Sequence, residues 1–111
     1  MKNTIVNLTP HAIMLANEAG EVVETFAPSG EVARMSTSQE KQFEIDGAPV
    51  VKTVYGEVAG LPEPQDGVFY LVSSLIAGQV KRPDVISPDT FNGVVRDESG
   101  RVKAVRQFQT F

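Results

Sequence analysis

The feature that most constrains the fold is the recurrence of glycine and proline at short intervals along the chain. Nine glycines and seven prolines divide the 111 residues into short segments rich in valine, isoleucine, threonine, phenylalanine and tyrosine. Short runs of that composition between turn residues are typical of β-strands. No repeat, low-complexity tract or linker marks a boundary. We therefore predict one compact domain over residues 1–111, of the α+β class but mostly β, built from antiparallel strands and hairpins.

Two hairpins are predicted from strand-like runs that flank short turns. Residues 12–16 and 21–26 flank Asn17-Glu18-Ala19-Gly20, and residues 94–97 and 102–108 flank Glu98-Ser99-Gly100. A strand, a short turn and a second strand are the signature of a hairpin. The other predicted strands are 4–8, 31–36, 42–45, 50–58 and 68–72, and the predicted loops are 37–41, 60–67 and 87–93.

One short helix is predicted near 74–82, after the strand 68–72. That strand is apolar on both faces, which predicts a central, doubly covered position. Four of the residues that follow it fall on one side of a helix: Leu75, Ile76, Gln79 and Val80. Ser73 or Ser74 is a suitable N-cap, and Pro83 a suitable stop.

The residues that carry catalysis are scarce. The chain has no cysteine, which excludes disulfides, thiolate metal sites and a cysteine nucleophile. Its only histidine, His11, is a turn residue, a ligand contact or a general base, and no serine lies in a nucleophile elbow. Glycine-rich phosphate loops are absent, and the carboxylates lie in turns. We predict no catalytic residue, no metal and no cofactor.

The charge of the chain is unevenly distributed. The net charge is −4, which disfavours bulk binding to nucleic acid. Residues 1–79 hold 4 basic and 10 acidic residues, whereas residues 80–111 hold 6 basic and 4 acidic ones. The basic tail is either a solvated hairpin or a local anion site. We see no signal peptide at Met1-Lys2-Asn3-Thr4, and no apolar run spans a bilayer, so a cytoplasmic location is expected.

Two serines and an arginine are the first candidates for holding an anion. Ser73 and Ser74 end a buried strand and open a helix, where hydroxyls and free N–H groups meet, although ordinary capping also accounts for them. Arg34 shares one strand face with Val32 and Ser36. If that face is inside, Arg34 needs an internal carboxylate or a ligand; if Ala33 and Met35 face the core, Arg34 is solvated.

Three further residues complete the candidate ligand set, which also includes Ser36 and His11. Arg82 ends the predicted helix, and Arg96 lies beside Asp97, with which it could instead form an ion pair. Phe91 lies in a polar loop, where periodicity does not bury it. Such an aromatic residue plugs the core, packs on a partner subunit or stacks on a planar ligand, and we favour packing.

Several stretches together give the chain a family resemblance. They are 7–13 (Asn-Leu-Thr-Pro-His-Ala-Ile), 29–36 (Ser-Gly-Glu-Val-Ala-Arg-Met-Ser), 56–64 (with Gly-Leu-Pro-Glu-Pro), 70–75 and 95–100. The chain resembles a family of small uncharacterised proteins of bacteria and their phages. The resemblance implies no established activity, but it makes a phage-related role plausible, such as sequestering a nucleotide signal of host defence.

We expect a non-enzymatic, oligomeric protein that binds a small anionic or nucleotide-like ligand. One alternative is a protein-interaction or inhibitor module that acts through a sheet edge. Another is a small hydrolase that uses His11. A ligand binder should gather several of these cationic and hydroxyl side chains in one concave site. An interaction module should show an exposed apolar surface and scattered arginines, and a hydrolase needs His11 hydrogen-bonded to a serine or a carboxylate.

Overall fold

The computed structural model describes residues 3–111, which form ten strands and one helix. The predicted class is confirmed, because strands and hairpins dominate and the one helix lies within 74–82. Met1 and Lys2, part of the N-terminal expectation, lie outside the described residues. The elements are β1 Thr4–Asn7, β2 Ile13–Ala16, β3 Val22–Phe26, β4 Arg34–Ile45, β5 Ala48–Ala59, β6 Val68–Leu71, α1 Ser74–Val80, β7 Val85–Pro88, β8 Val95–Arg96, β9 Val102–Ala104 and β10 Phe108–Gln109.

The central sheet has four strands in the order β1-β6-β7-β10. β6 lies inside this sheet, as its apolar composition predicts. Its pairs with β1 and β7 are parallel, whereas β10 joins β7 antiparallel. The parallel pairs were not predicted. The loop predicted over 87–93 is wrong for Ser87 and Pro88, because both belong to β7 and pair with β10.

Helix α1 connects β6 to β7 and covers the core. Ser73 is its N-cap, and the Ser73 hydroxyl accepts a hydrogen bond from the Ile76 backbone N–H at 3.4 Å. The helix ends at Lys81, whose φ is +54°. Ile76 and Ala77 are its buried residues, in a core cluster with Leu8, Ala33, Tyr70, Val72 and Val85. No helix within residues 3–111 is long and apolar enough to cross a membrane.

Strands β4 and β5 form a long hairpin, which we call the arm. Each strand has 12 residues, and the turn between them is Asp46-Gly47, both with positive φ. The loop predicted over 37–41 is wrong. Those polar residues pair with the β-branched run of β5, as in Gln39 with Thr53, and cross-strand pairing outweighs their weak strand propensity.

The two smaller hairpins are β2–β3, present as predicted, and β8–β9, which is shorter than predicted. The strand predicted over 102–108 is wrong beyond Ala104, because Phe108 belongs to β10 and pairs with β7 in the central sheet. An isolated bridge joins Leu15 to Val105. The Arg106 guanidinium donates to the Asn17 carbonyl at 3.1 Å and to the Gly93 carbonyl at 3.0 Å. These contacts hold the hairpin ends in place, while the arm extends from the body.

Candidate functional site

An open groove of about 250 Å³ lies between the base of the arm and the start of α1. It is at the carboxyl ends of β1 and β6, the edge at which ligands of open sheets with parallel strands usually bind. The groove is lined by Val32, Ala33, Arg34, Met35, Ser73, Leu75 and Ile76. A cation, a hydroxyl and several aliphatic side chains therefore share one concave surface.

Arg34 opens β4 at the rim of the groove. Ala33 is buried and Met35 packs on the core, whereas Arg34 is exposed, so the second of the two strand-face alternatives is correct. The ion pairs formed within residues 3–111 are Lys41–Glu44 and Arg82–Asp84. Among the described residues, the Arg34 guanidinium thus has no carboxylate within ion-pair distance.

The Ser73 hydroxyl is the second polar group of the groove. It accepts the capping hydrogen bond from Ile76, which leaves its own proton free to donate. Ser74 is exposed on the first turn of α1 and does not line the groove. Of the two serines, only Ser73 is thus placed to contact a ligand bound beside Arg34.

The segment that carries Arg34 is anchored to the body by backbone contacts. The Ala33 backbone N–H donates to the Leu8 carbonyl at 3.0 Å. Gly60 has a φ of +80°, and a Cβ added there would lie 2.7 Å from the Val32 carbonyl oxygen. Only glycine permits this close approach. Residues from four separate parts of the sequence, 7–13, 29–36, 56–64 and 70–75, therefore meet around the groove.

Three candidates lie elsewhere. Arg82 donates to both oxygens of Asp84, at 3.0 and 2.6 Å, and to the Pro62 carbonyl. This pair lowers the pKa of Asp84 and raises that of Arg82.

Arg96 donates to the Gly100 carbonyl at 2.8 Å rather than to Asp97. Ser36 lies against Gly56 in the arm. The candidate cations therefore do not converge on one site.

His11 is exposed in the turn after β1 and contributes its backbone to the fold. Its carbonyl accepts hydrogen bonds from the side chains of Asn7 and Thr9, at 2.8 and 2.9 Å. Its imidazole forms no hydrogen bond with any serine or carboxylate among the described residues. The geometry gives no support to the hydrolase alternative.

Phe91 is 83% exposed, so it does not plug the core. Its loop is nevertheless ordered by Asp89, whose carboxylate accepts hydrogen bonds from the Phe91 and Asn92 backbone N–H groups and from the Gln107 amide. The Gln107 bond is the main cause of the lowered pKa of Asp89. Phe91 is thus presented to solvent, and is not among the residues that line the groove.

No group of three or more histidine, cysteine, aspartate or glutamate side chains could hold a metal ion within residues 3–111. No family model matches the chain, and neither the curated proteins nor the solved structures contain a match. The resemblance to bacterial and phage proteins stays a prediction from sequence. The function must therefore be argued from the geometry of the groove and of the exposed surfaces.

Proposed function

We propose that the chain is a non-enzymatic binding protein that holds a small anionic ligand in the groove between the arm and α1. The observation that supports this proposal is that Arg34, which forms no ion pair within residues 3–111, lines the same groove as Ser73. A guanidinium offers several N–H donors in a planar fork, which matches the oxygens of a carboxylate or a phosphate. The hydroxyl adds a neutral donor.

The size of the groove limits the ligand. Drug-sized ligands usually occupy about 300–1,000 Å³, whereas the groove has about 250 Å³. It accommodates a phosphate or carboxylate with a small apolar part against Leu75 and Met35. A nucleotide-like ligand would be held by its phosphate, with the remainder outside the groove. Sequestering such a ligand in a host cytoplasm fits the phage-related role that the resemblance suggests.

Isothermal titration with inorganic phosphate, a mononucleotide, a cyclic nucleotide and a carboxylate tests this proposal. Arg34→Ala should weaken binding about ten- to hundredfold, because it removes a charge-assisted hydrogen bond. Arg101→Ala is the matched control, since Arg101 is exposed and lies outside the groove lining. Equal effects of the two substitutions would show that binding is only a response to net charge.

The interaction module is the second candidate, and it has its own support. The arginines are scattered, and the arm exposes large apolar side chains. Its two outer strand edges, of 12 residues each, pair with no other strand within residues 3–111. Such edges accept an added strand from another protein. If none of the four anions binds the wild-type chain, the ligand proposal fails and this candidate becomes the leading one.

A further inference from the structure

The arm has one face that is mainly apolar. The residues of a cross-strand pair lie on the same face of a hairpin, and pairs such as Phe43 with Val50 and Ile45 with Ala48 therefore share a side. β4 has a bulge at Gln42, where it holds one residue more than β5. The bulge places Phe43 on the same face of the arm as Glu40 and therefore as Val54. We call this side the apolar arm face; its distal part comprises Phe43, Ile45, Ala48, Val50 and Val54.

The distal apolar arm face lies apart from the hydrophobic core of the body. At the base of the arm, Met35 and Val58 form a cross-strand pair that packs against the core cluster. A second bulge, in β5, lies between this pair and the pair of Thr37 with Tyr55, so Met35 stays on the face of Thr37, opposite the apolar arm face. The apolar arm face is therefore not covered by the body of this chain, and Phe43 and Ile45 are each 56% exposed.

The chain has more surface than a compact monomer of its mass. A 12.0 kDa monomer is expected to expose about 6,000 Å², but this chain exposes 7626 Å². The radius of gyration is 16.7 Å, against about 13 Å for a compact domain of about this length. The excess area is about 1,600 Å², and a stable interface needs about 800 Å² from each partner.

We propose that the distal apolar arm face packs against the same face of a second copy of this chain. The only charged pair on this face is Glu40 opposite Lys52, so the face is neutral and does not repel its own copy. A two-stranded hairpin is barely stable alone in water, whereas two stacked hairpins enclose an apolar layer. The contact is isologous, which gives a closed dimer. The proposal is independent of the ligand groove.

The two faces of the arm provide a matched pair of variants. Phe43→Ser with Ile45→Ser alters the apolar arm face, and Val51→Ser with Tyr55→Ser alters the opposite face at residues that are also exposed, by 42% and 38%. Sedimentation equilibrium should give the wild-type chain twice its 12.0 kDa mass. The first double variant should raise the dimer dissociation constant at least about tenfold, and the second should leave it nearly unchanged.

A monomeric wild-type chain at every concentration overturns the proposal, as does an equal loss of dimer in both double variants. Circular dichroism melts of the variants separate a lost interface from a lost fold. Because the chain has no cysteine, single cysteines give a second readout that leaves most of the face intact. Phe43→Cys should form covalent dimers with a short bis-maleimide, and Tyr55→Cys should not; the reverse pattern contradicts the proposal.

Discussion

At the scale of single residues, Asn7 organises the end of β1. It is 2% exposed, and both the nitrogen and the oxygen of its side-chain amide form hydrogen bonds. Its amide nitrogen donates to the carbonyls of His11 and Phe26, both at 2.8 Å, and its oxygen accepts from the backbone N–H and the hydroxyl of Thr9. This side chain fixes the turn at residues 9–11 and ties β1 to β3.

We predict that Asn7→Ala lowers the free energy of unfolding by about 3 kcal/mol, because it leaves several buried polar groups unpaired. Urea denaturation followed by circular dichroism measures the loss. Asn17→Ala is the control, since the exposed Asn17 side chain accepts one bond from the Glu21 N–H and should cost less than about 1 kcal/mol. Similar losses in both variants would show that Asn7 has no special role.

The sequence could not determine the side on which Arg34 lies. A period of two separates Ala33 and Met35 from Arg34, but either set fits a half-buried strand, and only the pairing with β5 and the core decides. The capping role of Ser73 was predictable, because a serine at a strand-to-helix junction follows a local rule. Asn7 was not selected as a candidate, although Asn-x-Thr before proline is typical of a side-chain-capped turn.

At the scale of elements, long-range pairing explains what sequence analysis missed. Residues 37–41 have the composition of a loop, yet they form the middle of β4 because β5 lies beside them. β7 was missed because its short apolar run is flanked by Pro83 and Pro88, and prolines at such spacing are typical of loops. The hairpin β2–β3 was predicted correctly, since its strands and its turn are adjacent in the chain.

The ion pair between Arg82 and Asp84 fixes the connection from α1 to β7. The hydrogen bond from Arg82 lowers the pKa of Asp84, so the folded state binds this proton less readily than the unfolded state. The stabilisation is therefore present above the ordinary carboxyl pKa of about 4 and is lost as the pH falls through the lower folded value.

Asp84→Asn should reduce stability by about 1–2 kcal/mol at neutral pH and have progressively less effect toward about pH 3. Urea midpoints measured across this range test the prediction. Asp66→Asn provides the comparison, because Asp66 is exposed in a loop and forms no ion pair within residues 3–111. A loss for Asp84→Asn that does not change with pH would contradict the assigned electrostatic origin.

At the scale of the whole molecule, the candidate site forms because the strand order brings distant parts of the chain together. The groove combines residues 32–35 with residues 73–76, and its wall is braced by Leu8 and Gly60. The composition predicted the strand content but not that β1 pairs with β6 across more than half of the chain. Arg34 and Ser73 could therefore be selected as candidates individually, whereas their proximity could not be derived.

Anion binding in the groove that Arg34 and Ser73 line can be followed by an NMR titration of the ¹⁵N-labelled chain with inorganic phosphate. Binding in the groove should give saturable shifts in the backbone amide signals of residues 32–35 and 73–76, and Arg34→Ala should raise the phosphate concentration needed for them about ten- to hundredfold. Shifts centred instead on the basic hairpin at residues 95–104, or no saturable shift anywhere in the chain, would contradict this proposal.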